Sequence, residues 1–284
     1  MSSIGSQKSV IEGVRSVKYI TAALRDISVL ELRDLKEHYS KNAMFYEELQ
    51  FLYQLVWHIA YRSGDHVQLN GTSHKRLHVA YTTNKHFYGS LNQAVMRRFV
   101  QDTDSKDLCV VIGSTGAEYW RSAGKKRKGL TFQSFADDTP TDAEAKEFIR
   151  LTEEYGRVFV YYPQFVSVYE QRPGVIDISF RPSKAQQLQH QEIQMPEYFL
   201  EPDITEMITF FNAQVRYILF RRVLLETQLS RAAARLLRMD MADHNAAGIL
   251  RDEQQELRRA YRNFFNSRML ETLTGYAQWH KTTK

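Results

Sequence analysis

The sequence predicts an α/β fold in which the N- and C-terminal helices form one long antiparallel coiled coil, with a small α/β domain inserted between them. Two observations support this prediction. Residues that break helices concentrate in the middle of the chain: all six prolines lie between Pro140 and Pro202, and most glycines lie between Gly64 and Gly174. The two ends nearly lack them, and their apolar residues recur at helical spacing.

The N-terminal segment, residues 1–65, is predicted to be a coiled-coil helix, because it contains neither proline nor glycine from Val14 to Ser63. Its apolar residues recur three or four positions apart and then resume with a shifted phase, which indicates a stutter. The predicted seam consists of Val17, Ile20, Leu24, Ile27, Leu32, Leu35, Tyr39, Tyr46, Leu49, Tyr53 and Val56, with Asn42 as a polar interruption.

The C-terminal segment, residues 201–284, is predicted to be one continuous helix from Asp203 to about His280. Such a helix would be roughly 110 Å long, which is typical of a coiled coil or shaft rather than of a globular domain. Its heptad-like stripe consists of Leu229, Ala232, Leu236, Met239, Ala246, Leu250, Leu257, Ala260 and Phe264, with polar breaks at Asp243 and Glu253. Pairing the two ends of the chain brings the termini of the middle domain together, which favours an antiparallel arrangement.

The middle of the chain, residues 66–200, alternates between strand and helix patterns. Strands are predicted over 77–81, 108–112, 158–162, 165–169 and 175–180, and helices over 91–100, 115–122 and 142–155. Thr139 or Thr141 is expected to cap the last of these helices. The alternation predicts a largely parallel sheet with helices on its faces, in a Rossmann-like α/β domain. The glutamine-rich stretch 182–196 is expected to be an exposed connection.

Composition excludes several classes of protein. Cys109 is the only cysteine and lies in an apolar run, so it can form no internal disulfide and belongs to no cysteine cluster for zinc. No segment has the pattern of a signal peptide or the length of a membrane-spanning helix. The net charge of +5 and the pI near 9.1 favour acidic partners without singling out nucleic acid.

Two segments of the middle domain suggest ligand sites, each with a plainer alternative. Residues 113–116, Gly-Ser-Thr-Gly, follow a strand and open a helix, where a phosphate could bind free backbone amides. They lack a complete nucleotide-binding motif, and the alternative is an ordinary strand-to-helix turn. Residues 125–128, Lys-Lys-Arg-Lys, could contact nucleic acid or anionic lipid, and the alternative is a solvated loop.

No side chains assemble a catalytic site in the sequence. His244 adjoins Asp243, but neighbouring residues of a helix do not face each other, so a structural role is favoured. We predict no catalytic, cofactor-binding or metal-binding residues. The C-terminal helix is strongly basic, through Arg221, Arg222, Arg231, Arg235, Arg238, Arg251, Arg258, Arg259 and Arg262. These arginines are either ordinary solvated side chains on the surface of the helix, or they form a positive surface that faces acidic loops of a partner.

Five segments carry a family pattern. Residues 20–24, Ile-Thr-Ala-Ala-Leu, are similar to Ile-Thr-x-Ala-Met, and residues 83–92 retain Gly89, Leu91 and Asn92 of Ser-Asp-Arg-Gly-Leu-Cys-Gly-Gly-Leu-Asn. Residues 110–113 and 165–167 resemble two strand regions in the same order. Residues 235–246 match Arg-Met-x-Ala-Met-x-x-Ala-x-x-Asn-Ala, the most specific motif. The pattern resembles the gamma subunit of F-type ATP synthases, the central rotor shaft, over nearly the whole chain.

The resemblance implies which residues form the shaft or contact partners: Ile20, Thr21, Leu24, Gly89, Leu91, Asn92, Arg235, Met239, Asn245, Ala246 and Arg262. Two stretches depart from the family. Residues 86–90 replace its Gly-Leu-Cys-Gly-Gly turn, and residues 261–269 differ from its Arg-Gln-Ala-x-Ile-Thr-x-Glu-Leu segment, which touches the catalytic subunits. The expected protein is therefore a divergent gamma-like subunit.

The implied role is a non-catalytic shaft that couples ion-driven rotation to ATP synthesis or hydrolysis in a surrounding hexamer. The implied partners are the alpha and beta subunits, the epsilon subunit and the membrane c-ring, with no cofactor and no nucleic acid. The complex would hold the chain at the cytoplasmic face of the cell membrane. Two alternatives stay open: a non-rotary coiled-coil scaffold or adaptor, and a nucleotide- or nucleic-acid-binding domain on a helical arm.

Overall fold

The computed structural model describes residues 4–62, 75–85, 88–104, 107–123, 129–179 and 203–282. The chain divides into two compact units. The helical unit consists of Met1–Ile27 and Leu236–Lys284, and the sheet unit consists of Ser28–Arg235. Two long helices contribute to both units: α1 spans Ile4–Arg62 and α5 spans Ile204–Thr282. The predicted long C-terminal helix is thus confirmed, to within two residues at either end.

Within the described residues, the sheet unit contains a five-stranded sheet in the order β3-β2-β1-β4-β5. Its strands are β1 Arg76–Tyr81, β2 Leu108–Ile112, β3 Leu130–Gln133, β4 Arg157–Phe165 and β5 Gln171–Asp177. Only the β4–β5 pair is antiparallel, and the other three pairs are parallel. The mixed α/β class and the largely parallel sheet are therefore confirmed.

The predicted strand over 165–169 is wrong. Strand β4 continues through Phe165, and the chain then reverses, with the Val166 and Ser167 amides both donating to the Glu170 carbonyl at 3.2 and 2.9 Å. An antiparallel neighbour can be reached by such a short turn, whereas a parallel one needs a crossover. The predicted strand over 175–180 begins earlier, as β5, and ends at Asp177. Phe180 and the stretch 182–196 lie outside the described residues.

Strand β3 was not predicted from the sequence. It is a four-residue edge strand whose side chains are exposed or half-buried, so it lacks the apolar run that identifies a buried strand. Its pairing with β2 is parallel and depends on the tertiary arrangement of the sheet. The shortness and exposure of β3 are typical of an edge strand that does not invite further pairing.

The short helices of the sheet unit are α2 Leu91–Asp102, α3 Ser114–Ser122 and α4 Asp142–Thr152. Thr141 caps α4 through a capping box with Glu144, as one of the two predicted caps. Helix α4 ends three residues earlier than predicted, because the Tyr155 amide turns back to the Thr152 carbonyl at 3.1 Å and Gly156 follows. The other two helices agree with the prediction to within two residues.

The sheet buries both of its faces, as parallel sheets do. Leu77, Val79 and Tyr81 of β1 point to one face, where they belong to a core that includes residues of α1, α4 and α5. Ala80 points to the other face, in a core with residues of α2 and α3. Cys109 lies buried in that second core, as predicted for a strand residue. The alternation follows directly from the two-residue repeat of a strand.

In each unit, the contacts between α1 and α5 show that the two helices are antiparallel. In the sheet unit, Tyr53 hydrogen-bonds Asn212, Tyr39 accepts from Arg222 at 3.4 Å, and Ser28 accepts from Arg235 at 2.8 Å. In the helical unit, Arg25 approaches Asp243 to 3.9 Å, and Lys8 lies 5.6 Å from the ring centre of Tyr261. Positions therefore descend along α1 as they ascend along α5.

Candidate interaction surface and sheet crevice

The inward face of α1 follows an uninterrupted alternation of four- and three-residue steps. In the helical unit its buried or half-buried positions are Gln7, Ile11, Val14, Lys18, Thr21 and Arg25. In the sheet unit they are Ser28, Leu32, Leu35, Tyr39, Asn42, Tyr46, Leu49, Tyr53 and Val56. The alternation continues through residues 25, 28 and 32, so the predicted stutter is wrong. Only the composition of the stripe changes: it is mostly polar in the helical unit and mostly apolar in the sheet unit.

Three residues of the predicted N-terminal seam face outward instead. Val17, Ile20 and Ile27 are 51%, 59% and 48% exposed. The predicted C-terminal stripe is correct from Leu229 to Ala260, including both of its polar breaks, but Phe264 is exposed and does not belong to it. The apolar pattern of residues 17–27 therefore marks a surface of the helical unit rather than its interior.

We use the term outer apolar set for the exposed apolar residues of the helical unit, which are 43% to 76% exposed. They are Val10, Val17, Tyr19, Ile20, Ile27, Met241, Ile249, Phe264, Phe265, Met269, Leu270, Leu273 and Tyr276. Single exposed apolar residues are normal on a soluble protein, but a concentration of this size marks an interaction site. This set is a candidate partner surface.

Several polar residues accompany the apolar ones on the inside of the helical unit. Gln7 and Thr21 are buried, and the Thr21 hydroxyl donates to the Lys18 carbonyl at 3.0 Å. Arg25 approaches Asp240 at 4.0 Å and Asp243 at 3.9 Å. The interior of the helical unit therefore mixes polar side chains with apolar ones such as Ile11, Leu236 and Ala246, while further apolar side chains are exposed.

The structure separates the predicted site residues of the helical unit into two groups. Thr21, Leu24, Met239 and Ala246 are buried or half-buried and contribute to its interior, whereas Ile20, Asn245 and Arg262 are exposed. His244 is exposed, whereas Asp243 turns towards Arg25. The side chains of these two adjacent residues therefore do not face each other.

The predicted site residues of the sheet unit have structural contacts with the long helices or with β1. Gly89 has a φ of 60°, which allows the turn before α2, and Leu91 packs with Tyr88 and Ala234 in a small buried cluster. The Asn92 amide donates to the Thr83 hydroxyl at 2.7 Å. The adjacent Arg235 binds Ser28 and the Glu31 carboxylate of α1. The family motifs thus join the sheet, α5 and α1.

The turn at residues 113–116 has no free amides for a phosphate. The Ser114 amide donates to the Asn84 side-chain oxygen at 3.0 Å, and the Thr115 amide donates to the Thr83 carbonyl at 3.0 Å. The Gly116 amide donates to the Thr82 hydroxyl at 3.1 Å. The chain itself therefore caps the start of α3, which supports the plain strand-to-helix turn. The basic run 125–128 lies outside the described residues.

The strand order of the sheet reverses between β1 and β4, and in doubly wound folds the crevice at the carboxyl ends of two such strands is the usual ligand site. Here α5 supplies a buried side chain to it. Arg231 donates to the Asp138 carbonyl at 2.8 Å and to the Thr82 carbonyl at 3.1 Å. In the sequence, Arg231 is one of many arginines of this helix, and no local signal distinguishes it.

A buried carboxyl lies one turn earlier on the same helix. Glu226 accepts a hydrogen bond from the Tyr162 hydroxyl at 3.0 Å, and burial raises the pKa of its carboxyl above the ordinary value. Burial likewise raises the pKa of Tyr162, with the nearby Glu226 charge adding to the effect. The Ser230 hydroxyl donates to the Pro163 carbonyl of β4 at 2.8 Å. This side of α5 is therefore joined to the sheet by polar contacts.

Among the described residues, none of the helices has an apolar stretch sufficient to cross a bilayer. Nor do the described His, Cys, Asp and Glu side chains form a group of three or more that could hold a metal ion.

Comparison with known proteins gives one consistent family. A protein-family model described as ATP synthase matches residues 4–275. The ATP synthase gamma chain of Staphylococcus saprophyticus subsp. saprophyticus is 23% identical over an alignment of 290 residues, covering 96% of this chain and 98% of that relative.

Two solved structures share the fold. A chain of the Euglena gracilis mitochondrial ATP synthase has a TM-score of 0.55 at 14% identity, covering 93% of this chain and 97% of that chain. A chain of the Tetrahymena thermophila mitochondrial ATP synthase central stalk and c-ring has a TM-score of 0.56 at 17% identity, covering 78% and 99%. Because the family model spans nearly the whole sequence, this chain belongs to the ATP synthase family, which confirms the resemblance to its gamma subunit.

Proposed function

We propose that this chain is the central rotor shaft, the gamma subunit, of an F-type ATP synthase or ATPase. The observation that carries the proposal is the outer apolar set of the helical unit. These apolar side chains are 43% to 76% exposed, although the same unit buries others such as Ile11 and Ala246. Exposure of these apolar side chains to water is unfavourable, and burial by a partner removes this free-energy cost. Alpha and beta subunits that surround the helical unit would bury them.

The two long helices are proposed to wind as an antiparallel coiled coil. The alternation of four- and three-residue steps along the inward face of α1 supports this, because it is the heptad repeat of a left-handed supercoil. The opposed contacts between α1 and α5 within each unit support the antiparallel sense. A long helix pair without internal proline resists twisting, which a rotor requires.

In this proposal the chain influences catalysis only by contacting the beta subunits. An asymmetric shaft that turns inside the hexamer presents a different face to each beta subunit. Each beta subunit is then biased towards a different conformation, because a conformational equilibrium shifts by the difference in contact energy between its states. The capped amides of α3 support a role in which nucleotide binds to other subunits and not to this chain.

The domain division and the remaining partners belong to the same proposal. Residues 1–65 and 201–284 would form the shaft and residues 66–200 the α/β domain, which would contact the epsilon subunit and the c-ring. The bounds of α1 and α5 support this division. The chain would be a peripheral subunit at the cytoplasmic face of the cell membrane, as suits its likeness to a bacterial gamma chain.

Copurification with alpha, beta and epsilon subunits tests whether the chain enters such a complex. An Ile20→Asp variant should lose hexamer binding while keeping its helical content, because Ile20 belongs to the outer apolar set. A Leu151→Asp variant is the matched control, since Leu151 is similarly exposed but lies on α4 of the sheet unit. Equal binding by both variants would argue against burial of the outer apolar set by the hexamer.

A reversible crosslink separates a rotor from a fixed scaffold or adaptor. Met241 is exposed in the helical unit, so a Met241→Cys variant in a Cys109→Ala background can be oxidised onto a cysteine placed in a beta subunit. A rotor should lose ATP hydrolysis on oxidation and recover it on reduction. Full turnover with a complete crosslink would overturn the rotary role, and a complex without the beta-subunit cysteine controls for oxidation itself.

A further inference from the structure

Arg231 is a buried cation at the junction of α5 and the sheet. Only 4% of its surface is exposed. Its guanidinium donates to the carbonyls of Asp138 and Thr82, at 2.8 and 3.1 Å, and lies 4.9 Å from the ring centre of Tyr81. One side chain of α5 thus holds the end of β1 and the segment that precedes α4.

Neighbouring residues of α5 hold the adjacent strand. The Ser230 hydroxyl donates to the Pro163 carbonyl at 2.8 Å, and the Glu226 carboxylate accepts from the Tyr162 hydroxyl at 3.0 Å. Tyr162 and Pro163 belong to β4, which pairs with β1 at the centre of the sheet. Contacts from residues 226–231 therefore reach both central strands of the sheet.

Stability alone does not account for a buried arginine at this position. Removing a guanidinium from water is costly, and apolar residues of similar volume often replace buried charged groups without loss of stability. Apolar packing of α5 in the core, through residues such as Leu219 and Phe220, interlocks side chains but fixes no hydrogen-bond geometry. A guanidinium is a rigid planar fork, and its hydrogen bonds to two carbonyls fix the orientation of the helix that carries it.

We propose that Arg231, assisted by Ser230, prevents α5 from rotating relative to the sheet, so that the helix and the sheet turn together. The inference rests on the proposed rotor function and assigns one step of it to named residues. Torque applied to the sheet would pass through the carbonyls of Thr82 and Asp138 into the Arg231 guanidinium and then along α5. Arg231 is thus a positioning residue, and it touches neither nucleotide nor the transported ion.

The test uses the complete complex reconstituted in vesicles, with Arg231→Met or wild-type chain. ATP hydrolysis is measured together with ion uptake, which is followed by a proton- or sodium-sensitive dye. We expect the Met variant to assemble and hydrolyse ATP, but the ions moved per ATP should fall severalfold because the helix slips against the sheet. Arg231→Lys keeps the charge but not the fork, and it should give an intermediate ratio.

Arg150→Met is the matched control, because Arg150 is exposed on α4 and its ion pair is with Glu147 of the same helix, at 3.5 Å. It should leave the ratio of ions to ATP unchanged. An unchanged ratio of ions to ATP in the Arg231→Met complex would overturn the proposed role of Arg231. If that chain does not fold, the same criterion applies to Arg231→Lys. Failure of the wild-type chain to join alpha and beta subunits would instead overturn the rotor function itself.

Discussion

The backbone amide of Gly116 donates a hydrogen bond to the Thr82 hydroxyl across 3.1 Å, and this contact closes the turn that most resembles a phosphate site. Thr82 follows β1, whereas Gly116 lies in the first turn of α3. The same hydroxyl donates to the Ile112 carbonyl at 2.6 Å. The Thr82 hydroxyl therefore satisfies a helix amide that would otherwise be available to a ligand.

Replacement of Thr82 should show how much its hydroxyl contributes to the free energy of unfolding. Thr82→Ala leaves the buried Gly116 amide without its partner, and we expect the free energy of unfolding to fall by about 1–3 kcal/mol. Thr82→Ser keeps the hydroxyl and is the control, with a smaller loss from the missing methyl group. Urea denaturation of the full chain gives both values. Equal loss in the two variants would show that the hydrogen bonds contribute nothing.

Two glycines should respond to alanine with opposite signs. Gly113 has a φ of 98°, and an added Cβ would lie 2.8 Å from backbone atoms of Thr82, so Gly113→Ala should lower the free energy of unfolding by at least about 2 kcal/mol. Gly248 lies inside α5 with nothing within 4 Å of its Cβ position. Gly248→Ala should therefore raise it by about 1 kcal/mol. A loss of stability in both variants would contradict this account of Gly248.

The Arg25–Asp243 pair should contribute little to stability and should depend on salt. The two side chains are 35% and 22% exposed and approach only to 3.9 Å. A double-mutant cycle with Arg25→Met and Asp243→Asn should give a coupling energy of about 1 kcal/mol or less at low salt. The coupling should nearly vanish at about 1 M salt, where the screening length falls to about 3 Å. A large, salt-independent coupling would show that the pair is effectively desolvated.

Glu226 should make the protein less stable as the pH rises from acid towards neutral. Burial raises the pKa of its carboxyl above 4.5 in the folded chain, so the folded state binds this proton more tightly than the unfolded state. Stability contributed by the bound proton is present below the ordinary pKa and is lost as the pH rises through the raised one. Urea titrations at several pH values should show this slope and its absence in Glu226→Gln.

Glu147→Gln, which removes an exposed carboxyl from α4, is the control for a general charge effect. It should leave the dependence of stability on pH close to that of the wild-type chain. A Glu226→Gln chain with an unchanged slope would mean that Glu226 does not retain its proton preferentially in the folded state.

Several elements could be predicted from residues alone because local chemistry decides them. The absence of proline after Pro202 allows α5 to continue from Ile204 to Thr282. Thr141 followed by Glu144 defines a capping box within four residues. The apolar run around Cys109 predicts a strand buried on both faces. None of these predictions requires knowledge of which distant segment packs nearby.

Other features escaped prediction because they depend on partners distant in the sequence. Periodicity places apolar residues inside, so Val17, Ile20 and Ile27 suggested a seam, yet they face outward while Thr21 and Arg25 face inward. Phe165 and Val166 are apolar and therefore predict a strand, but β4 ends at Phe165 and a turn follows. Arg231 looked like its neighbouring arginines until Thr82 and Asp138 were found beside it.

By itself, the sequence determined that this protein has a long helix at each end of the chain and a largely parallel α/β sheet between them in sequence, because breaker residues and apolar periodicity act over a few residues. Its motifs also identified the family. Only the tertiary structure decided which helix face is buried, that Thr82 closes the turn before α3, and that Arg231 enters the crevice of the sheet. Burial and hydrogen bonding between segments far apart in sequence depend on where the whole chain brings them together, and no local pattern encodes that.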